Sequence, residues 1–262
     1  MTSLVDRTIA GLRAEHEMLA PLVTALTEDH LTGPSAASAW SLAQVLAHLG
    51  SGAEIMLAGL RAGLAGADVP GQDYNTTVWD RWNGMAPGEQ RDAFLEHNEA
   101  LVTALEALTP EQRAAAQFKL GFAPAPLPVV AYAGMRLNEA TLHGWDVRVA
   151  LDPAAGLAAD SAQVIGELYT ASLGFMLGFM GKADRISGPV TLDIVGSGFG
   201  LMIRDTVSFV APVAQPTATF SGPLEAAVRM IAGRLAPEYT PAGLTVSGNV
   251  TIDQLRHAFP GY

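Results

Sequence analysis

Two side chains of the kinds that bind metal ions in proteins lie four positions apart in the segment RLNEATLHGWDVRVAL. They are Glu139 and His143, and at about 3.6 residues per turn they lie one turn apart on one face of a helix. A carboxylate and an imidazole in this arrangement can bind a single divalent metal ion. Because two ligands from one helix leave an ion under-coordinated, a third ligand must come from another element.

His48 is the best candidate for the third ligand. It lies three residues after Val45 and next to Leu49, on the predicted buried side of another helix. The interior of a helical bundle is where facing helices bring metal ligands together. Two histidines and one glutamate leave a coordination position open for water or substrate, as a catalytic zinc site requires.

These residues also have structural interpretations. A single histidine on an apolar face, such as His48, is often a hydrogen-bonded core residue, and Glu139 with His143 also fits an exposed helix pair. The helix over 127–151 is too apolar to be solvated, however, and a buried carboxylate needs a charge partner, which a metal supplies. Asp146 either orients a ligand histidine by accepting its hydrogen bond or is a charge at the helix end. The remaining histidines lack such a setting and are predicted at the surface: His16, His30, His97 and His257.

Composition restricts both the chemistry and the partners. The chain has no cysteine, which excludes disulfides, thiolate metal sites and a thiol nucleophile of its own. Its formal net charge is −11, and an acidic surface repels phosphate backbones and anionic lipid, so we expect no nucleic acid and no membrane partner. The N-terminus lacks the basic start and apolar block of a secretory signal. We therefore expect a cytoplasmic protein that acts on a small molecule.

Apolar periodicity predicts four helices in the first half of the chain, with Ser38 or Ser41 as the cap of the second. Short connections between most of them predict an up-down four-helix bundle. The segment 66–86 contains Gly, Pro and three large aromatic residues, including Trp79 and Trp82, and is predicted to be a functional loop or lid. The four predicted helices cover residues 3–28, 40–64, 88–108 and 127–151.

The sequence pattern changes after about residue 153, and the remainder predicts a small α+β domain. Residues 158–181 predict one helix, residues 221–234 a second and residues 252–259 a closing third. Segments rich in Val, Thr, Ile and Phe predict strands. These segments are PVTLDIVGS, FGLMIRDTVSFV, PTATFSG and LTVSG. The fold class is therefore α+β, with domains at residues 1–155 and 156–262.

Three segments together resemble one known family. TGPSAASAWSLAQVLAHL resembles the start of the second helix in DinB-like metalloenzymes, where a histidine eight positions after a tryptophan is a metal ligand. RLNEATLHGWDVRVAL resembles the Glu-x-x-x-His-x-Trp-Asp helix of the mycothiol-dependent maleylpyruvate isomerase family. ATFSGPLEAAVRMIAGRLAPE followed by LTVSGNVTIDQLRHAF resembles that family's C-terminal domain, which is similar to sterol carrier folds.

The resemblance implies a DinB-like metal-binding bundle followed by a sterol-carrier-like domain. It places the metal triad on His48, Glu139 and His143, and it implies zinc or another divalent metal together with mycothiol as cofactor or co-substrate. It also implies a functional arginine in a Gly-Arg pair, which falls on Arg234. The sequence departs from the family pattern at SAASA before Trp40 and at AAVRMIAGR, and both departures lie outside the triad.

A metal with an open position lowers the pKa of a bound thiol, so a cysteine-free protein could use a borrowed thiolate. The thiolate would add to an electrophilic small molecule, or displace a group from it, and this molecule could carry a carboxylate. The protein would then be an isomerase or an S-transferase. Arg234 would bind an acidic group of thiol or substrate, or form a surface salt bridge. Arg81 and Trp82 are further candidates for binding substrate or thiol, although Arg81 could instead stack on a tryptophan at the surface.

Two other functions stay open at this point. The protein could be a non-catalytic binding protein with a structural metal and an apolar ligand in its C-terminal domain. It could also be a metal-dependent hydrolase with metal-bound water as the nucleophile. The hydrolase would need a general base near the metal, and Asp146 is the one weak candidate that the sequence offers.

Overall fold

The computed structural model describes residues 2–37, 39–119 and 125–261. The chain folds as two units, Met1–Ala155 and Gly156–Tyr262. The described part of the first unit contains helices joined by short connections and one two-stranded antiparallel ribbon. The helices are α1 (Leu4–Thr24), α2 (Glu28–Thr32), α3 (Leu42–Ala65), α4 (Gln72–Asn83), α5 (Pro87–Glu106), α6 (Pro110–Ala115) and α7 (Val129–Leu151), and the ribbon is β1 (Gln117–Phe118) with β2 (Leu127–Pro128).

The four long helices α1, α3, α5 and α7 form a bundle. α1 and α3 each pack against both α5 and α7, so that each long helix has two neighbours in the ring. Their apolar faces meet in a core to which every long helix contributes, with Leu19 from α1, Leu46 from α3, Phe94 from α5 and Val147 from α7. The prediction of a four-helix bundle is therefore confirmed.

Local sequence determines where α3 begins and ends. The Ser41 hydroxyl accepts the Gln44 backbone N–H, and the Gln44 side chain accepts the Ser41 backbone N–H, which forms a capping box. The helix ends at Gly66, whose φ of 64° lies in the left-handed region that glycine adopts without strain. Ser38, the other predicted cap, lies outside the described residues. The first metal-binding candidate, His48, thus lies in the second turn of a capped helix.

The prediction of a loop over 66–86 is wrong, because most of this segment is the helix α4. Its Trp82 is almost completely buried in the bundle core. Of the aromatic residues that suggested a lid, Trp82 instead anchors α4 on α3. The indole packs so closely on α3 that a Cβ at Gly50 would lie 2.1 Å from the Cη2 atom of Trp82.

The described part of the second unit combines short helices with a five-stranded sheet. The sheet order is β5-β4-β3-β6-β7, in which β3 and β6 are parallel and the other neighbours are antiparallel. The elements are α8 (Ala159–Thr170), α9 (Leu177–Met180), β3 (Val190–Ile194), β4 (Gly200–Ile203), β5 (Val207–Val210), β6 (Ala218–Ser221), α10 (Leu224–Ile231), β7 (Thr245–Gly248) and α11 (Ile252–Ala258). The α+β class is confirmed.

Two predicted elements of this unit are divided in the structure. The predicted helix over 158–181 ends at Thr170, where the Leu173 N–H donates to the Leu168 carbonyl and the buried Leu173 side chain redirects the chain. The segment FGLMIRDTVSFV forms the two strands β4 and β5, joined by a turn at 204–206. In β3 the buried residues alternate, with Val190, Leu192 and Ile194 on one face.

None of the described helices combines the length and the apolar character needed to cross a membrane.

Replacing Gly50 by alanine should strongly destabilise the first unit, because the added methyl group would overlap the Trp82 ring. Overpacking of this kind lowers the free energy of unfolding by about 1–3 kcal/mol. Gly144→Ala is the matched control, because its Cβ would lie 3.6 Å from Leu19, an ordinary contact, in another buried helical position. Urea unfolding followed by circular dichroism measures both variants. Equal stability of the two variants would contradict the close contact between α3 and α4.

Candidate metal centre

The side chains of His48, Glu139 and His143 meet where α3 packs against α7. His48 Nε2 lies 3.0 Å from Glu139 Oε2, and His143 Nε2 lies 3.6 Å from the same oxygen. One ligand atom from each residue lies within 4.8 Å of the other two. The structure therefore brings together the three residues that the sequence pattern selected, from positions 91 residues apart on two helices.

The spacing and the chemistry of these atoms fit a divalent metal ion. Zinc binds imidazole nitrogen and carboxylate oxygen at about 2.0–2.2 Å, which places tetrahedral ligands about 3.3 Å from one another. The distances of 3.0 and 3.6 Å from Glu139 Oε2 to the two imidazoles lie on either side of this value. Within the described residues no other His, Asp or Glu joins the group. Three protein ligands of this kind leave at least one coordination position open.

Asp146 holds the imidazole of His143 from the side opposite the triad. The distance from His143 Nδ1 to Asp146 Oδ2 is 2.8 Å, and the Asp146 side chain is fully buried. When Nδ1–H donates to this carboxylate, the lone pair of Nε2 points toward Glu139 and is available to a metal. Because α7 continues to Leu151, Asp146 is not at the helix end, and the geometry favours the orienting role over a helix-end charge.

Trp40 packs against both imidazoles of the triad. Its ring centroid lies 5.1 Å from that of His48 and 6.0 Å from that of His143, with which it is stacked at an interplanar angle of 28°. Trp40 immediately precedes Ser41, the cap of α3, so the capping box also determines the position of the indole. The tryptophan eight positions before His48 thus restricts the orientation of both histidines.

A cavity of about 560 Å³ opens from the triad between α3, α4 and α7. This volume lies within the range of small-molecule sites in proteins, and the lining is mainly apolar, as is typical of such sites. His48 and Glu139 form part of the wall. The other lining residues are Gly52, Ile55, Met56, Gly59, Val69, Pro70, Gln72, Asn75, Trp79, Lys119, Tyr132, Met135 and Arg136.

A second cavity of about 280 Å³ reaches His48 from another side. It is lined more by polar groups, with Gln44, Ser51 and Asn83 beside Trp40. Trp79 and His48 belong to the walls of both cavities. The triad is therefore accessible from an apolar chamber and from a polar one.

The predicted ligand-binding residues Arg81 and Trp82 do not line either of these cavities. Arg81 forms an ion pair with Glu54, and Trp82 Nε1 donates to the same carboxylate at 2.8 Å. Burial alone would raise the pKa of Glu54, but these two hydrogen bonds, together with the charges of His97 and Arg81, hold the pKa below its ordinary value. Both residues tie α4 to α3. Trp79 is the residue of α4 that lines both cavities, and the sequence pattern placed it in the same segment without assigning it a role.

Arg136 is a cavity-lining residue that apolar periodicity does not single out. It lies one turn before Glu139, and its guanidinium is 2 % exposed. Burial lowers the pKa of Arg136 to about 10, while the negative charge of Glu139 acts in the opposite direction. The group therefore stays protonated at neutral pH. One sequence feature could identify Arg136 as a site residue. It is an arginine one turn from a metal ligand, in a helix that is otherwise too apolar for a solvated charge.

Arg234 lies in the second unit, directly after Gly233. Its Nη1 donates to the Ala232 carbonyl at 3.0 Å, and the side chain is half-buried. The role of Arg234 toward a ligand stays a prediction.

Two of the four histidines predicted at the surface do lie there, but His16 does not. His30 and His257 are exposed, and His97 is partly buried with its ring 5.5 Å from that of Trp82. The side chain of His16 is only 11 % exposed, and burial lowers its pKa. It contacts Asn98 at 2.8 Å because α1 packs on α5 at this level.

Comparison with known proteins agrees with this architecture. A family model described as the mycothiol maleylpyruvate isomerase N-terminal domain matches residues 12–148. Two solved structures, described as the mycothiol-dependent maleylpyruvate isomerase and a histidine-to-alanine mutant of it, match with a TM-score of 0.67 each. Each is 17% identical, and each match covers 100% of both chains. At this identity the likeness shows a common fold.

No curated protein matches the sequence. Because the family model spans more than half of the 262 residues, the chain belongs to the mycothiol maleylpyruvate isomerase family.

Proposed function

We propose that this member of an isomerase family is a mycothiol-dependent metalloenzyme, with a zinc ion held by His48, Glu139 and His143. When bound, the metal supplies the positive charge that makes the mycothiol thiol reactive near neutral pH. The observation that carries this proposal is a three-ligand group, within 4.8 Å, of which His48 and Glu139 line a cavity of about 560 Å³. In a chain without cysteine, a thiol nucleophile has to come from a bound molecule.

The reaction that we propose is a cis–trans isomerisation of a maleylpyruvate-type substrate. The thiol adds to a conjugated double bond, the resulting single bond rotates, and loss of the thiol restores the double bond. Asp146 keeps Nε2 of His143 directed at the triad, and Trp40 restricts both imidazoles. We expect Trp79 of α4 to contact the ligand, because it lines both cavities, whereas Arg81 and Trp82 line neither of them.

The alternatives find less support in the site. A hydrolase needs a base beside the metal-bound water, but Asp146 is fully buried and its carboxylate contacts His143 Nδ1. A purely structural metal is usually closed by four protein ligands, whereas the described residues supply three here. An S-transferase differs from the isomerase only in whether the thiol leaves at the end.

The setting that we propose is the cytoplasm, where a low-molecular-weight thiol stays reduced. We propose no nucleic-acid partner, because the net charge of −11 opposes binding to a polyanion.

Removing either histidine of the triad should remove the metal. His48→Ala and His143→Ala should each lose most of the bound metal because two ligands remain, and Asp146→Asn should weaken metal affinity about 10–100-fold through loss of orientation. Metal content after dialysis, measured by mass spectrometry, tests this. His257→Ala, at an exposed histidine, is the control and should retain the wild-type content. Unchanged stoichiometry in the triad variants would refute the metal centre.

Mycothiol should bind only to the metal-loaded protein. Calorimetric titration of mycothiol into zinc-loaded and metal-free protein tests this, because an open metal position is what binds the sulfur. With maleylpyruvate as substrate, an isomerase releases the trans isomer and returns the thiol, whereas a transferase retains a thioether adduct that mass spectrometry detects. Equal mycothiol binding without metal, or turnover without mycothiol, would exclude the proposed mechanism.

We also propose that Arg234 binds an acidic group of the thiol or the substrate. Arg234→Gln should lower kcat/KM by roughly 10- to 100-fold, the effect expected from losing one or two charge-assisted hydrogen bonds. Metal content should not change. Arg204→Gln, at an exposed arginine of the same unit, is the control. If both variants retain wild-type kcat/KM, Arg234 has only a structural role.

A further inference from the structure

Arg136 is a buried cation with incomplete hydrogen bonding. Its Nη2 donates to Asn98 Oδ1 at 2.6 Å, while its Nε is shielded from solvent and has no hydrogen-bond partner. A guanidinium carries five N–H donors, and a buried charged group whose donors lack acceptors is costly. A ligand that supplies acceptor oxygens would remove this cost.

The guanidinium adjoins the large cavity at a point where α3 presents no side chain. Arg136 and Gly52 both line this cavity, and a Cβ at Gly52 would lie 3.5 Å from Nη1 of Arg136. The void on the other side of the arginine, toward Asn98, measures only about 10 Å³. That volume is about the minimum for a single water molecule, so of these two cavities in the described part of the chain the large one can bring a ligand to Arg136.

The charges around the cavity favour an anionic ligand. The carboxylate that acts electrostatically on Arg136 is that of Glu139, which also belongs to the triad. When Glu139 binds a cation, its negative charge is no longer available to balance the buried guanidinium. Exposed Lys119 adds a second cation to the cavity wall. The loaded site would therefore carry excess positive charge in a largely apolar chamber.

We propose that Arg136 binds the carboxylate of the electrophilic substrate and thereby selects acids over neutral compounds. A planar guanidinium can bind the two oxygens of a carboxylate through parallel hydrogen bonds. The remainder of the substrate lies against the apolar wall formed by Ile55, Met135 and Trp79, on the same side of the bundle as Glu139. This inference rests on the proposed function for the identity of the reaction, while carboxylate binding itself is measurable without turnover.

Calorimetric titration of maleate and of its uncharged diamide into the wild-type protein tests the selection directly. Maleate should bind roughly 10- to 100-fold more tightly than the diamide, and this preference should disappear in Arg136→Met. Equal affinities in the wild-type protein would overturn the proposal, as would an unchanged preference in the variant.

A pair of glycine substitutions provides a test that leaves the buried arginine in place. Gly52→Ala puts a methyl group beside Nη1, whereas Gly59→Ala puts one beside the Tyr132 hydroxyl, at 3.3 Å, in the same cavity and the same helix. The preference for maleate should fall severalfold in Gly52→Ala and persist in Gly59→Ala. Equal behaviour of the two variants would contradict a carboxylate site at Arg136.

Two further titrations separate the arginine from the metal and from the thiol. Glu139→Gln removes a metal ligand without leaving an uncompensated carboxylate, and this variant should still prefer maleate. Loss of the preference there would assign the carboxylate to the metal and overturn the proposal. Mycothiol should bind Arg136→Met as tightly as it binds the wild-type protein; weaker binding would mean that the arginine serves the thiol. Failure of mycothiol to bind either protein would count against the proposed function alone.

Discussion

The buried face of α7 carries several ionisable groups in a bundle whose core is mostly apolar, and the organisation of the first unit follows from this constraint. Arg136, Glu139, His143 and Asp146 occupy three successive turns, and each needs compensation for the solvation that it loses. Asp146 and His143 compensate each other, and Asn98 of α5 binds part of Arg136. Glu139 contacts His48 of α3 in a geometry that also suits a cation. Packing of the four helices is therefore inseparable from the assembly of the site.

The surface of α3 complements that face because it lacks bulk at selected positions. Gly50 admits the indole of Trp82, which fixes α4 to α3, while Gly52 and Gly59 let the α3 backbone lie close to Nη1 of Arg136 and to the Tyr132 hydroxyl. Glycine in the interior of a helix lowers its intrinsic stability by about 1 kcal/mol relative to alanine. The capping box at Ser41 and the left-handed end at Gly66 offset part of that cost. Both Gly52 and Gly59 line the cavity, together with His48, Ile55 and Met56 of the same helix.

Spacing within a single helix is readable from sequence, whereas contacts between helices are not. The pairing of Glu139 with His143 follows from the period of the helix. The selection of His48 as the third ligand depends on an assumption about the facing helix or on the family resemblance. The same limit explains why His16 was expected at the surface, because its burial depends on α5. The prediction of a loop over 66–86 is wrong because the Gly and Pro residues of this segment flank α4, while its aromatic residues lie within the helix. Apolar periodicity does not identify Arg136, because a stripe of apolar residues gives no sign of a buried cation within it.

The constraint that bears most on the chemistry is that this site contains metal ligands but no thiol of its own. Asp146, the acid closest to the triad in sequence, is occupied in holding His143, and the chain has no cysteine. The described cavity wall offers cations, hydroxyl and amide groups, and apolar side chains around an open ligand position. Such a wall can bind and orient two molecules, but it leaves the attack on the substrate to one of them. A thiol-dependent reaction meets that requirement, since the reacting sulfur arrives with the bound cofactor and departs with it.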